Sequence, residues 1–588
     1  MCGIIGYCGE KSAAPEIYAG LKKLEYRGYD SAGVAVVGGG KLKLAKKRGR
    51  VSELEKHIAG LIGCTGIGHT RWATHGKPSD ANAHPHAVKN FAIVHNGIIE
   101  NYAPLKAALE SRGARFSSDT DSEVVAHLLA ENYSGDLLAA LITVARMLKG
   151  SYALMAICSN GEEIAVACNK SPVVLGMSKH GSFVASDAPA LAGVCDKICV
   201  LKDGDFALVT KSGVCVYDSD RKEVTREFTP NPAVSQDLEL NGCPHYMLKE
   251  LREVPAAIEK TAAAFSSVEG RLKSAISGAS RIILTGCGTA YNAALVGKRY
   301  FEELCRIPAE AEIAGELRYK NPIISEDCAV IAVSQSGETA DTVEAARLAL
   351  ALGARVVAVT NSPFSQLSRL AHVTVPVCAG PEICVAATKS YSGQVTALFK
   401  IARMLAGKYD NIINCTLDDM PALCARNIKA LEEDEGLNAL AHECATARGV
   451  YFLGRDIDYA VALEGSLKLK EVSYVPCEGY PAGELKHGTL ALIDHRTVSV
   501  IIMTRADLSE KCENAVRQIT SRGGKAAVIT DLDCGIAGVP KITLPASCKL
   551  LSPLLTASAL QILAYRTAVI LGRDPDKPRN LAKSVTVE

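Results

Sequence analysis

The sequence has almost no excess of either charge: 65 Lys and Arg stand against 64 Asp and Glu, leaving +1. Such a chain, with no basic run long enough to follow a phosphate backbone, offers no electrostatic footing for nucleic acid or an anionic membrane. Its expected partners are small molecules and other protein chains. Long hydrophobic runs are also missing. Tyr152 to Cys158 and Cys328 to Val333 fall far short of the roughly 20 apolar residues that span a bilayer. The opening MCGIIGYCGE has neither the basic start nor the apolar stretch of a signal peptide, so a cytoplasmic location is expected. Cysteine is plentiful, at 21, yet CxxC pairs are absent. Single cysteines such as Cys64, Cys158, Cys168, Cys287, Cys305 and Cys424 read as small buried hydrophobes in a cytosolic chain, not as a disulfide framework. His69, His75, His84 and His86 crowd one segment, but the AHPH run sits in a Pro-containing loop without carboxylate or thiolate partners at ligand spacing. No metal and no cofactor is expected.

What is present is length and an ordinary soluble composition. The 588 residues correspond to about four domain-sized units, and 48% apolar against 22% charged residues suffices for several cores. Up to about Val216 the pattern is short strands (Gly3 to Tyr7, Gly33 to Val37, Gly66 to Thr70, Phe91 to Val94, Tyr152 to Cys158, and a hairpin of Gly204 to Thr210 with Val214 to Tyr217). Helical periodicity is clearest over Ala13 to Leu24, Tyr102 to Leu109, Asp121 to Ala130 and Leu137 to Leu148. Many strands with few, clustered helices predict an α+β layered sandwich. Glu227 to Pro244, polar and marked by Pro230 and Pro232, reads as a linker. Beyond it, strands alternate with longer helices, the signature of parallel sheets. The cadence RIILTG, AVIAVS, RVVAVT returns roughly 170 residues later as VYFLG, VSVIIM, KAAVIT, with helices around Leu463 to Lys470 and Cys512 to Ile519. This predicts a duplication of doubly wound α/β units, about Ile258 to Gly407 and Asn427 to Leu571. The polar end, Asp574 to Glu588, reads by itself as a frayed tail.

Cys2 directly follows the initiator Met. Trimming of that Met would place a thiol, the best side-chain nucleophile near neutral pH, on the same residue as an α-amine able to act as its base. Farther on, SQSGET offers the hydroxyls of Ser334, Ser336 and Thr339, Gln335, and backbone amides at the positive end of a helix, which is a phosphate site. No P-loop Lys follows and the glycines lack GxGxxG spacing, so a sugar monophosphate is favoured over a nucleotide. At helical spacing Glu464, Lys468 and Glu471 share one face.

MCGIIGY, LEYRGYDSAG, GHTRWATHG, HNGIIEN and SDTDSEV, in this order, resemble the glutamine amidotransferase domain with an N-terminal nucleophilic cysteine. The resemblance implies that Cys2 attacks the carboxamide of glutamine and releases ammonia through a thioester. Asn96 and Gly97 would form the oxyanion hole, Arg71, Thr74, His75 and Asp121 would hold glutamine, and Arg27 would support the thiol. Trp72 would bind glutamine and gate the passage of ammonia. GCGTAYNA, SQSGETADT and VAATKS resemble the sugar isomerase domain, here present twice. ALEGSLKLKEVSY, GELKHGTLALI, the closing NLAKSVTVE and the run HYMLKE (His245 to Glu250) extend the resemblance over essentially the whole chain, to the glutamine:fructose-6-phosphate aminotransferase family.

What that family implies is an α+β N-terminal-nucleophile glutaminase sandwich over 1–228, a linker over 229–244, doubly wound α/β sugar isomerase domains over 245–425 and 426–573, and an active-site tail over 574–588. The reaction would take D-fructose 6-phosphate and L-glutamine to D-glucosamine 6-phosphate and L-glutamate, the first step of amino-sugar synthesis. Lys583 would form a Schiff base with the open-chain ketose, His487 would open the ring, and Glu471 would move a proton between carbons one and two. Lys468 and, less centrally, Glu464 would steady the intermediate. Thr289, Val385 and the SQSGET turn would bind the sugar phosphate. Ammonia would travel through a dry passage, and the chain would form at least a homodimer in which His487 reaches the neighbouring subunit. Ala290 and Ala387 stand where that pattern has serines, and Thr489 where it has proline, which bears on sugar affinity. Another glutamine amidotransferase would need a pyrophosphate loop or an SGGxDS motif, both lacking. A non-catalytic sugar-phosphate sensor would have no need of Glu471, His487 and Lys583 together.

Overall fold

The computed structural model describes residues 2–73, 75–231, 239–406, 416–533 and 536–586. Two compact units make up the chain, Met1–Asp237 with Ser584–Glu588, and Leu238–Lys583. Residues 232–238 of the expected linker lie outside the described residues.

In the first unit, strands rich in Ile, Val, Ala and Gly build two antiparallel sheets. The larger runs Thr229–Pro230, Lys197–Val200, Val174–Ser178, Gly181–Ala185, Gly3–Gly9, Thr65–Arg71, Ser31–Gly38, Lys41–Arg48. The smaller runs Gly213–Tyr217, Phe206–Thr210, Ile164–Asn169, Gly150–Cys158, Phe91–Ile99, His86–Val88. Ile4, Ile67, Val94, Met155 and Val184 fill the space between them. Ile17, Leu21 and Leu24 of the helix Ala13–Leu24 cover the outside of the larger sheet against Ile5 and Val34. Leu109, Val125, Leu129 and Leu141, from the helices Tyr102–Ser111, Glu123–Asn132 and Leu137–Ala145, cover the smaller one against Ile93 and Leu154. With both faces covered, every residue of Gly3–Gly9 and Thr65–Arg71 is buried, and each Ile, Leu or Val so placed stabilises by about 1.5–3 kcal/mol. The four layers are the α+β sandwich anticipated from the sequence. Lys41–Arg48 was not anticipated as a strand. It carries five basic residues and pairs antiparallel with Ser31–Gly38 as an edge, with its Arg48 amide also donating to Asp80 Oδ1 at 2.7 Å.

The second unit contains two five-stranded parallel sheets with the same strand order. One is Ala309–Ile313, Arg281–Gly286, Cys328–Ser334, Arg355–Thr360, Val373–Pro376; the other is Cys477–Pro481, Gly449–Gly454, Thr497–Ile502, Lys525–Thr530, Lys541–Thr543. The repeat read from the cadence is therefore a repeat of topology. The predicted helices extend over Ile457–Ser473 and Ser509–Thr520. One apolar core, including Ile331, Val359, Phe399, Phe452, Val500 and Leu560, is shared by both sheets and the helices between them. The helices Ile457–Ser473 and Ser552–Ile570 pack closely because position 465 is glycine: a Cβ there would lie 2.7 Å from Leu560 Cδ1. Ser552–Ile570 is long and apolar enough to cross a membrane, more so than the runs noted in the sequence, yet 83% of it is buried within the chain. It is a core helix, apolar all round because neighbours surround it. Every described cysteine is a free thiol except Cys548, which is disulfide-bonded, a departure from the expectation of unpaired cysteines.

Candidate active sites

In the first unit the register Gly3↔Thr70 and Ile4↔His69 brings the start of one buried strand beside the end of another, and so Cys2 beside Arg71 and Trp72. The Trp72 amide donates to Cys2 Sγ at 3.3 Å, and the thiol reaches Trp72 O at 3.5 Å. Burial pushes the Cys2 thiol up from its ordinary value, while the Trp72 amide and Arg71 pull it back. Asn96 Nδ2 donates to Cys2 O at 3.0 Å, and its buried Oδ1 has no hydrogen-bond partner among the described residues. Gly97 follows with φ +129°, and a Cβ there would lie 2.0 Å from Ser151 O. Only glycine fits that turn of the backbone, which sets the Gly97 N–H next to Asn96.

Arg71 is 3% exposed. Its Nη2 is spent on the carbonyls of His75 and of Gly76, the latter at 2.9 Å, whereas Nη1 is buried without a partner among the described residues. An unpaired guanidinium nitrogen in such a place suits a carboxylate. Asp121, also 3% exposed, accepts the Ile99 amide at 2.8 Å. The Trp72 ring meets Tyr29 edge-on at 5.4 Å, and the His75 ring meets Tyr102 at 5.5 Å. Thr74 lies outside the described residues. Arg27 is buried against Asp187 and Tyr26, so its carboxylate contact differs from the thiol support expected of it. Asp30, which sequence reasoning passed over, takes the Ala73 amide at 2.9 Å and so fixes the segment after Trp72; its place inside LEYRGYDSAG was the available signal.

Behind this site the crowded histidines do come together. The rings of His69 and His84 stack at 4.1 Å, His84 meets His86 at 4.4 Å, and His95 Nδ1 pairs with Ser122 Oγ at 2.8 Å. Burial holds His69 and His84 well below the ordinary histidine value, His86 down to about 3, and His95 also low. Among the described residues no group of three or more side chains is placed to hold a metal.

In the second unit the SQSGET turn closes the strand Cys328–Ser334 and opens the helix Ala340–Ala351. Ser334 Oγ lies 3.0 Å from Thr339 Oγ1 and accepts the Gly337 amide at 3.0 Å; Ser336 Oγ accepts the Glu338 amide at 3.1 Å. The backbone carbonyl of Gln335 takes the Asn361 amide at 3.1 Å. Hydroxyls and amides therefore converge at a helix N-terminus, as an anion requires.

The helix Ile457–Ser473 supplies the next group. Lys468 Nζ is 2.6 Å from Glu471 Oε2 and 3.6 Å from Glu464 Oε1. Glu464 is fully buried and accepts from Thr289 Oγ1 at 3.1 Å and Asn292 Nδ2 at 2.8 Å. Burial pushes Glu464 up to about 7, against the pull of Lys468. Burial works against the Lys468 ammonium too, but Glu471 and Glu464 together hold it above its ordinary value.

Lys583 ends the ordered tail of this unit and is not frayed. Its Nζ lies 2.5 Å from Glu382 Oε2, with side-chain exposures of 4% and 0%. Glu382 also accepts the amides of Thr388 and Ser390, each at 3.0 Å, and Ser390 Oγ at 2.7 Å. Burial opposes its ionisation, yet Lys583 and the Ser390 donors bring it down to about 2. The Val385 amide donates to Asp576 O at 3.0 Å, tying the VAATKS loop to the tail. Glu382 and Asn292 are site residues that sequence reasoning missed; an acid within the apolar stretch GPEICVAA was the signal for the first. His487 is not joined to these groups. It is exposed at the end of a 3₁₀ turn, Glu484–His487, with no hydrogen bond or ion pair among the described residues.

The chain matches the family model of the glutamine amidotransferase domain over residues 69–193, and that of the SIS domain twice, over 275–401 and 444–571. It is 44% identical over 610 aligned positions to a Clostridium tetani protein named glutamine--fructose-6-phosphate aminotransferase [isomerizing], with all of both chains covered. A protein of the same name from Clostridium acetobutylicum is 42% identical, again over all of both chains. Among solved structures, the C-terminal domain of glucosamine-fructose-6-phosphate aminotransferase from Francisella tularensis superposes with a TM-score of 0.54 at 31% identity. It covers 58% of this chain and all of its own.

Proposed function

The chain belongs to the glutamine–fructose-6-phosphate aminotransferase (isomerizing) family, and from that membership we propose how its two sites divide the reaction. The enzyme converts L-glutamine and D-fructose 6-phosphate to L-glutamate and D-glucosamine 6-phosphate. In the first unit, residues 1–228 in our assignment, the Cys2 thiolate adds to the glutamine carboxamide once Met1 is removed, its proton passing to the α-amine. Asn96 Nδ2 and the Gly97 N–H receive the oxyanion. Collapse expels ammonia, and water resolves the thioester. Arg71 Nη1 takes the substrate α-carboxylate, Asp121 takes the α-ammonium, and Thr74 and His75 also bind glutamine.

In the second unit, Ser334, Gln335, Ser336, Thr339 and Thr289 hold the phosphorylated sugar, with Val385 beside it. His487 opens the ring. The Lys583 amine adds to the keto carbon and water leaves, giving an imine. Ammonia then displaces Lys583 at carbon two, and Glu471 carries a proton from carbon one to carbon two while Lys468 and Glu464 steady the charge. Ammonia reaches the imine without meeting bulk water, past Trp72, because in water it would become the unreactive ammonium ion. In this reading the enzyme is cytoplasmic and at least dimeric. The exposed His487, without a partner among the described residues, supports a role in the site of a neighbouring copy.

The observation that carries the proposal is the buried Lys583–Glu382 pair. A lysine in the tail held against a buried carboxylate beside a sugar-phosphate loop is an amine positioned for carbonyl chemistry. An assay supplying glutamine and fructose 6-phosphate together, with glutamate and glucosamine 6-phosphate measured separately, tests it. Equal yields of the two support the coupling, and glutamate without amino sugar overturns it.

A further inference from the structure

The HYMLKE run enters none of the steps above, yet its last residue is the most deeply buried carboxyl near Lys583 outside the site. Glu250 lies on the helix Tyr246–Arg252 and is 1% exposed. Its Oε1 accepts two successive amides, Ile383 N at 2.5 Å and Cys384 N at 3.2 Å, immediately after Glu382 in the chain. Its Oε2 is buried and has no hydrogen-bond partner among the described residues. The tail locks the same corner: Asp576 accepts the Tyr246 and Met247 amides at 2.8 and 2.7 Å, and Cys384 Sγ donates to Pro575 O at 3.3 Å.

We propose that Glu250 is a positioning residue for Lys583, bracing the Glu382 loop through one oxygen and keeping a proton on the other, so that Glu382 alone faces the lysine with negative charge. This rests on the reading of Lys583 as the imine-forming residue.

The reason is electrostatic. Two ionised carboxylates within one buried pocket repel each other, and one of them holds a proton instead. Glu382 has four donors, Lys583 included, to stabilise its charge, whereas Glu250 has two amides on one oxygen. Burial and Glu382 push Glu250 up to about 8, with Lys583 and Lys389 opposing. The titratable groups around it are Glu382, Cys384 and Lys389 from the loop, Lys583 and Asp576 from the tail, and Lys249 and Glu253 from its own segment. Lys389 is engaged by Glu253 at 2.5 Å. A second negative charge here would hold the Lys583 side chain in a tighter ion pair and draw its nitrogen away from a ketone.

The test is borohydride trapping of fructose 6-phosphate on the full-length enzyme, followed by mass spectrometry, at pH 7 and pH 9. Glu250→Gln keeps a carbonyl oxygen for both amides and cannot ionise. It is expected to trap within about 2-fold of wild type at pH 7, and at least about 3-fold faster at pH 9, where wild type gains the second charge. Glu250→Ala removes the brace and is expected to trap at least about 10-fold more slowly while keeping a cooperative melting transition of the second unit, which shows that this unit is folded. A Glu250→Gln profile lying on the wild-type curve through pH 9, or wild-type trapping by Glu250→Ala, overturns the inference. A wild-type enzyme that traps no sugar overturns the Lys583 reading and this inference with it.

Discussion

Asn292 Nδ2 donates to Glu464 Oε2 across 2.8 Å, and that bond joins the two repeats. Asn292 lies on the helix after the first strand of one sheet, Thr289–Tyr300, and Glu464 on the corresponding helix of the other, Ile457–Ser473. The carboxylate thus takes two of its donors, Thr289 and Asn292, from the other copy. Asn292→Ala should leave Glu464 with a lost donor in a fully buried place, costing about 1.5–3 kcal/mol. A denaturant midpoint for the second unit that does not move would contradict this.

Cys2→Ala should reduce glutamine-dependent amino-sugar formation by on the order of 10³-fold or more and leave fructose 6-phosphate isomerisation in place. Parallel assays of the two activities decide it. Loss of both would mean that the sites are not separate.

Lys583→Ala should behave in the opposite way, hydrolysing glutamine while failing to gain mass when borohydride and fructose 6-phosphate are added. Glu382 would then be a fully buried carboxylate without its cation. Removing one partner of a buried pair costs about 3–5 kcal/mol, so the variant should also melt earlier.

Asn96→Ala should lower kcat for glutamine hydrolysis by about 10²–10³-fold, the usual worth of one oxyanion donor, with little change in KM. Asn96 Nδ2 is bonded to Cys2 O, so the proposed oxyanion role requires it to turn toward substrate. A variant that changes KM alone would place Asn96 in ground-state binding.

The two units should respond to pH with opposite signs. In the first, His69, His84, His86 and His95 are held below the ordinary value, His86 at about 3, so the unfolded chain binds more protons below pH 6.5 and stability falls with acidification. In the second, Glu250, Glu464 and Asp458 are raised to about 8, 7 and 6. The folded state there holds the extra protons, and stability rises as pH falls toward the ordinary carboxylate range. Heating at pH 5.5 should therefore destroy glutamine hydrolysis before sugar isomerisation, with the gap narrowing or reversing at pH 7.5. Residual activities after timed heating measure it.

Much of this was legible in the sequence wherever a local pattern dictates structure. The helix Ala13–Leu24 follows from its apolar spacing alone, and the parallel repeats from runs such as AVIAVS that are apolar without alternation because both faces are covered. The face formed by Glu464, Lys468 and Glu471 follows from helix geometry. Groups whose meaning comes from distant segments were hidden. Glu382 becomes a counter-ion only when the tail returns to it, and Glu250 a buried carboxyl only when a loop more than a hundred residues later supplies two amides. Lys41–Arg48 was hidden for another reason: its charges argue against a strand, and pairing to Ser31–Gly38 overrides them.

That basic strand has a consequence for colloidal behaviour. An open sheet margin is a template on which another molecule can polymerise. Here one margin carries Lys41, Lys43, Lys46, Lys47 and Arg48, with Asp80 neutralising only part of that charge through Lys47 at 3.2 Å, and the opposite margin is the two-residue Thr229–Pro230, whose proline has no N–H to offer. Mutual repulsion on one side and a missing donor on the other should disfavour stacking through this sheet, and polyanions that blanket the lysines should be the additives that first cloud concentrated solutions.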